Sequence, residues 1–191
     1  MTPLEKYQAD LLCEDFHADA AQENAVRRTQ HLYDELLADG NTGNSFFEKI
    51  RQKFQKDKSN FIKGLYFCGG VGRGKTYIID SFYDSLPFKE KQRIHFHRFM
   101  QMVHAQLRNL KKVSDPLQTV ADNIASETEV LCFDEFHVSD ITDAMLLGGL
   151  LKALFERGVI LVTTSNEAPD QLYWDGLQRQ RFLPVIDLIK K

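Results

Sequence analysis

The sequence predicts an α/β fold: one parallel sheet with helices on both faces. Two observations carry that expectation. First, Leu65-Tyr66-Phe67-Cys68, Val130-Leu131-Cys132-Phe133 and Val159-Ile160-Leu161-Val162-Thr163-Thr164 are short apolar runs separated by segments of helical spacing. Continuous apolar runs of this length suit parallel strands covered on both faces. Second, the first run feeds Gly69-Gly70-Val71-Gly72-Arg73-Gly74-Lys75-Thr76, in which Gly69, Gly74, Lys75 and Thr76 satisfy G-x-x-x-x-G-K-[ST].

With 191 residues the chain has room for one sizeable α/β core. Residues 1–43 are expected to form an N-terminal helical segment packed on that core, and residues 44–191 the core itself. Leu4 to Leu12 has apolar residues at helical spacing. Ala18 to Leu37 follows, with Asp19 as N-cap and Ala21, Ala25, Leu32 and Leu36 along one face. Gly40-Asn41-Thr42-Gly43-Asn44 is a turn cluster and the natural boundary. Ser45 to Phe54 reads as a short amphipathic helix, and Lys53 to Lys63 as a basic approach to the first strand. A helix continues the glycine-rich loop through Tyr83. Arg93-Ile94-His95-Phe96-His97-Arg98 alternates like a second strand, with His95 and His97 on one face, and Phe99 to Leu110 reads as helix. Pro116 suits the first position of a helix running to Ser126. Ile141 to Phe155 is a helix stopped by Gly158, and the last strand exits at Ser165-Asn166.

Composition narrows the function classes. Hydrophobic residues make up 43% and charged residues 27%, and the net charge of −3 disfavours a surface that coats nucleic acid. No apolar run approaches the ~20 residues of a membrane span, so no stable membrane insertion is expected. The start lacks an apolar signal segment, and Cys13, Cys68 and Cys132 are scattered. Together these features predict a cytoplasmic, reduced protein whose cysteines serve as small apolar residues.

The chemistry sits at the strand ends. A loop that wraps a phosphate aims backbone N–H groups inward, which needs glycines free to adopt positive φ. Lys75 can reach β- and γ-phosphates, the Thr76 hydroxyl can ligate Mg²⁺, and the following helix N-terminus adds its dipole. A nucleotide with Mg²⁺ is the expected ligand. Asp134 and Glu135 follow an apolar strand: the first can hold Mg²⁺ through water, and the second can act as general base on the attacking water. The alternative for this acid pair is N-capping of the helix from Asp140. Asn166, at the exit of the last strand, can orient the lytic water, whereas Arg179 and Arg181 on a polar stretch read by themselves as a solvated helix face. His95, His97 and His104 suit packing or partner contact better than a metal site, and Tyr173-Trp174 suits an apolar anchor.

The phosphate loop, His95-Phe96-His97-Arg98-Phe99-Met100 with His104, Asp134-Glu135-Phe136-His137-Val138, Thr164-Ser165-Asn166, and Leu172-Tyr173 through Phe182-Leu183-Pro184 resemble the ZapE family of bacterial cell-division ATPases, relatives of mitochondrial Afg/Lace-type proteins. The resemblance implies an AAA+-type P-loop module that hydrolyses Mg²⁺-ATP, forms homo-oligomeric rings, and acts on FtsZ at the division site near the inner membrane. It assigns phosphate and metal binding to Lys75, Thr76 and Asp134, water activation to Glu135, the sensor-1 role to Asn166, and the intersubunit finger to Arg179 or Arg181. It also implies strand order 5-1-4-3-2 and a helical lid. Since the chain stops at Lys191, the fifth strand and lid are expected to be missing and hydrolysis to be impaired. Competing readings are a helicase-loader-like, DNA-linked ATPase, a P-loop small-molecule phosphotransferase, and an adaptor that binds ATP without turnover. No Asn-Lys-x-Asp guanine motif supports a GTPase.

Overall fold

The computed structural model describes residues 1–13, 16, 19–38, 62–110 and 113–191. The turn cluster at 40–44, the amphipathic segment at 45–54 and most of the basic approach at 53–63 lie outside the described residues.

The helix starts follow from local chemistry. Helix α1 (Pro3–Asp10) opens with a capping box: Thr2 Oγ1 accepts from the Glu5 N–H at 3.2 Å, and Glu5 Oε2 accepts from the Thr2 N–H at 2.9 Å. In α2 (Ala20–Ala38), the Asp19 carboxylate accepts from the Ala21 N–H at 2.8 Å, as its sequence position predicts. The buried stripe of α2 is Val26, Thr29, Leu32 and Leu36, whereas Ala21 is exposed and Ala25 only half-buried. The predicted face was therefore right in its C-terminal half. In the first turn, Gln22 reaches over Gly74 and Ala21 faces outward.

Four strands, β1 (Leu65–Cys68), β2 (Lys91–His95), β3 (Val130–Asp134) and β4 (Ile160–Ser165), form one parallel sheet in the order β1-β4-β3-β2. The register aligns Leu65 and Cys132 on either side of Val162, and His95 beside Asp134. Gly64 permits the β1–β4 approach, because a Cβ there would lie 2.0 Å from the Leu161 carbonyl oxygen. The connecting helices are α3 (Lys75–Ser85), α4 (Phe96–Asn109), α5 (Pro116–Glu127), α6 (Ile141–Glu156) and α7 (Arg179–Ile189), with a short 3₁₀ turn at Pro169–Gln171.

Alternation along the strands builds two apolar layers. Val130, Cys132, Ile160 and Val162 pack with Leu32 and Leu36 of α2 and with Ile79 and Phe82 of α3. Leu131, Phe133 and Leu161 face α4 through α7. There, Phe96, Phe99, Phe133 and Phe136 form an aromatic cluster with ring centroids 4.6–6.0 Å apart. Each of these rings contributes about 1.5–3 kcal/mol by leaving water.

Two sequence expectations are corrected here. The second strand ends at His95 and α4 begins at Phe96, so His97 lies in a helical turn rather than on a strand face. The burial of Phe96, Phe99, Met100 and Val103 shows a helical period taking over from the alternation one residue after His95. The cysteines also differ from expectation: Cys132 is buried, but Cys13 and Cys68 are exposed, since Cys68 sits at the emerging end of β1.

At the opposite end of the sheet, Glu129 is buried, and both its carboxylate oxygens lack a hydrogen-bond partner among the described residues. Burial, and secondarily the Glu90 charge, pushes its carboxyl up to about 8. The native state therefore holds a proton that the unfolded chain releases above the ordinary carboxylate range. Stability attributable to this group is fully present at acid pH and declines as pH rises towards about 8. Glu129→Gln should unfold at the parent temperature near pH 4 and at a higher temperature than the parent above pH 8. Thermal denaturation across that range measures the difference.

Candidate functional site

The site is assembled at the carboxyl ends of β1, β4 and β3. Where β1 ends, the Gly69 N–H donates to the Ser165 carbonyl at 3.2 Å, so the glycine-rich loop leaves the sheet pinned to β4. Gly72 and Gly74 have φ of 79° and 74°, the left-handed region that a Cβ disfavours. Gly74 is also the N-cap of α3 and offers no side chain to the first helical N–H groups. Among the described residues, a Cβ built on Gly69, Gly70 or Gly72 would meet nothing within 4 Å, and Val71 is 88% exposed. The loop is an open cradle leading to a helix N-terminus with no side-chain cap. Arg73 and Thr76 are exposed on it.

Lys75, the first residue of α3, folds back over the loop. Its ammonium donates to the Gly69 carbonyl at 2.6 Å, the Gly70 carbonyl at 2.7 Å and Asn166 Oδ1 at 3.0 Å. The loop lysine and the β4-tip asparagine, 91 residues apart, are thus in direct contact.

At the tip of β3, Asp134 is gripped by an arginine that sequence reasoning did not single out. Arg93 of β2 donates through Nε to Oδ2 at 2.8 Å and through Nη2 to Oδ1 at 3.1 Å. Its remaining nitrogen, Nη1, donates to the carboxylate of Asp80 on α3. Glu135 has a φ of 55°, unusual for a residue with a Cβ, and its side chain is 79% exposed. The nearest ionic partner of its carboxylate is His95, with Nδ1 3.7 Å away. The turn that holds Glu135 is tied to β4. Thr164 Oγ1 accepts from the Glu135 N–H at 3.3 Å, the Thr164 carbonyl accepts from the Phe136 N–H at 2.7 Å, and the Ser165 hydroxyl donates to the Phe136 carbonyl at 2.7 Å. The acid pair does not cap the next helix. Asp140 does, accepting from the Thr142 and Asp143 N–H groups at 2.7 and 3.2 Å.

The two candidate arginines lie at the start of α7. Arg179 donates to the Asp170 carbonyl at 2.6 Å and stacks on Trp174, its guanidinium carbon 4.6 Å from the ring centroid. Arg181 is exposed, and its side chain has no hydrogen bond or ion pair among the described residues. No such contact among the described residues joins either arginine to the phosphate loop. The predicted Tyr173-Trp174 anchor is half right. Tyr173 is buried and its hydroxyl donates to the Leu177 carbonyl at 2.9 Å, whereas Trp174 is 65% exposed. His104 pairs with Asp143 at 2.6 Å and His137 with Glu167 at 3.0 Å. Among the described residues no group of three or more His, Cys, Asp or Glu is arranged to hold a metal.

The pattern of the AFG1-like ATPase family matches residues 1–191, the whole chain. The chain belongs to the AFG1-like ATPase family. It is 51% identical to the cell division protein ZapE of Escherichia coli (strain K12) over 197 aligned positions, covering all of this chain and 52% of that protein. It is 42% identical over 155 positions to the lactation elevated protein 1 homolog B of Danio rerio, covering 75% of this chain and 31% of the relative. The chain therefore spans about half the length, or less, of these relatives. A solved DnaC helicase loader shares the fold, with a TM-score of 0.56, 14% identity, and coverage of 93% of this chain and 89% of the other. The four-stranded sheet with its glycine-rich loop is that of a P-loop NTPase.

The donors present fit the nucleotide and cation that this family implies. The open glycine cradle and the helix start without a side-chain cap suit phosphate oxygens. The Thr76 hydroxyl and the Asp134 carboxylate are the hard oxygen donors that Mg²⁺ prefers. The backbone at Gly74 can be tested without nucleotide. A Cβ at φ +74° costs about 1–2 kcal/mol. It would also stand 2.3 Å from Gln22 Nε2, the movable end of a flexible side chain. Gly74→Ala should lower stability by about 1–2 kcal/mol in chemical denaturation, and adding Gln22→Ala should recover little of it, because the backbone term dominates.

Proposed function

We propose that this chain is the nucleotide-hydrolysing part of an AAA+-type ATPase that couples Mg²⁺-ATP turnover to remodelling a protein partner. We take that partner to be FtsZ, within a homo-oligomeric ring at the division site, a reading supported by the resemblance to the ZapE family. The observation that carries the reading is the contact of Lys75 with Asn166 across the mouth of the glycine loop, with Asp134 and Glu135 on the adjacent strand tip.

In this reading the loop N–H groups of Gly69 through Gly74 bind the phosphates, and Lys75 exchanges its carbonyl partners for phosphate oxygens. Thr76 and Asp134 hold Mg²⁺, which when bound neutralises charge on the β- and γ-phosphates. Glu135 takes a proton from water as the water oxygen bonds to the γ-phosphorus and the bond to the bridging oxygen breaks to release ADP; its carboxylate is 79% exposed, with His95 as nearest ionic partner. Asn166 orients that water. Arg179 or Arg181 stabilises the transferring group of a neighbouring protomer, since among the described residues neither side chain hydrogen-bonds or ion-pairs with the chain's own loop.

Lys75→Ala should abolish binding of ATP. Glu135→Gln should preserve binding and lower turnover by about 10²–10⁴-fold, the usual worth of a general base. Parent-rate hydrolysis by Glu135→Gln would overturn its role. For the arginines, mixing an Arg181→Ala or Arg179→Ala protein with Glu135→Gln should restore part of the turnover through mixed interfaces. Strictly additive inactivity in oligomers that do form would place the arginine's role in cis. Stimulation by FtsZ polymer rather than single-stranded DNA identifies the partner class.

A further inference from the structure

We infer that Arg93 is a positioning residue for the nucleotide–cation site: it fixes the Asp134 carboxylate and couples it, through Asp80, to the helix that carries Lys75 and Thr76. The inference rests on the ATPase reading above. Arg93 engages both oxygens of Asp134 with two different nitrogens, at 2.8 and 3.1 Å, and turns the third nitrogen to Asp80. The side chains of Arg93 and Asp134 are only 22% and 14% exposed, whereas Asp80 is 42% exposed. A carboxylate held at both oxygens has lost its freedom to rotate, and the planar fork that does this is a property of arginine that lysine lacks. Asp80 lies five residues beyond Lys75, so the guanidinium bridges the β3 tip to the helix of the phosphate loop.

Charge supplies the second argument. Asp80 and Asp134 without Arg93 would present two negative charges to an incoming polyphosphate; with Arg93 the trio carries one. Lys75 does not share this task, because its three donors are spent on Gly69, Gly70 and Asn166. The other nearby titratable pair, His95 and Glu135, is 3.7 Å apart and exposed. Groups that orient a metal-ligating carboxylate typically matter by about 10–100-fold in metal affinity or activity.

The test compares the parent with Arg93→Lys, Arg93→Ala and Asp80→Asn. Binding of a fluorescent ATP analogue (N-methylanthraniloyl-ATP) is titrated with MgCl₂, turnover is measured, and melting is followed with MgCl₂ alone. Arg93→Lys should bind the analogue without Mg²⁺ as the parent does. Its Mg²⁺ half-saturation should rise, or its kcat fall, by about 10–100-fold. Asp80→Asn, which spares the Asp134 fork, should show the smaller loss. In Arg93→Ala the exposed acid pair should take up Mg²⁺ unaided, so MgCl₂ alone should raise its melting temperature and leave that of the parent unchanged. Parental Mg²⁺ dependence and turnover in Arg93→Lys, or a loss confined to its melting temperature, would overturn the inference. Should Arg93→Ala fail to fold, Arg93→Lys and Asp80→Asn decide alone. A parent that does not bind the analogue defeats the ATPase reading instead, and the MgCl₂-only melting comparison still tests Arg93.

Discussion

The insertion of β4 between β1 and β3 is the constraint on which the rest of the molecule depends. Parallel pairing on both sides sets β1, β4 and β3 at fixed heights, so their carboxyl ends open onto one surface. The last residues of β4 then act as a clamp. Thr163, Thr164 and Ser165 are buried, a placement that costs stability unless their hydroxyls are satisfied. The Thr163 and Thr164 hydroxyls donate to the Phe133 carbonyl, and Ser165 to the Phe136 carbonyl. The backbone of the same strand holds Gly69 on one side and Phe136 on the other. Both loops are therefore anchored to one strand, and the positive φ of Glu135 persists because its neighbours on either side are over-determined.

Charge at this surface is organised in two separate closures. Lys75 is satisfied by neutral groups, two loop carbonyls and the Asn166 amide oxygen, while Arg93 absorbs the acids Asp80 and Asp134. The lysine is thus not locked in an ion pair. Replacing neutral carbonyl partners with phosphate oxygens exchanges bonds in which only the donor is charged for bonds in which both partners are, a change that favours an anionic ligand. Had Lys75 paired with Asp134, a nucleotide would have to break that ion pair first. The sheet prevents this by giving Asp134 its own cation from the other neighbouring strand.

How much of this was legible in the sequence follows from the range of each interaction. The glycine loop, the acid pair after an apolar run, the cap at Asp19 and the helix start at Pro116 are local chemistry and could be read directly. The β2–α4 boundary could not, because Arg93 through Arg98 satisfies alternation and helical spacing alike over so short a run. Arg93 itself was hidden for a different reason. Its importance depends on the register that sets Arg93 beside Cys132 and His95 beside Asp134, and on α3 bringing Asp80 over the same strand face. The Trp174 exposure was equally invisible, since Tyr173 and Trp174 are adjacent and only the turn, with Tyr173 at φ 53°, decides which ring goes in.

The N-terminal helices belong to the same mechanical unit as the phosphate loop. Helix α2 packs its Leu32 and Leu36 against Ile79 and Phe82 of α3 and against the sheet. Helix α1 reaches α3 through Asp10, whose carboxylate accepts from the Tyr77 hydroxyl at 2.6 Å, and Phe16 lies with its ring centroid 5.1 Å from that of Tyr77. Burial and the Asp10 acceptor both push the Tyr77 phenol above its ordinary range, so this bond keeps its proton throughout physiological pH. Tyr77 follows Thr76 directly, and Gln22 of α2 covers Gly74. Any shift of α3 that accompanies a change at Lys75 or Thr76 must therefore either carry α1 and α2 along or break these contacts. Close packing favours the first, because interiors at crystal-like density transmit displacement rather than absorb it.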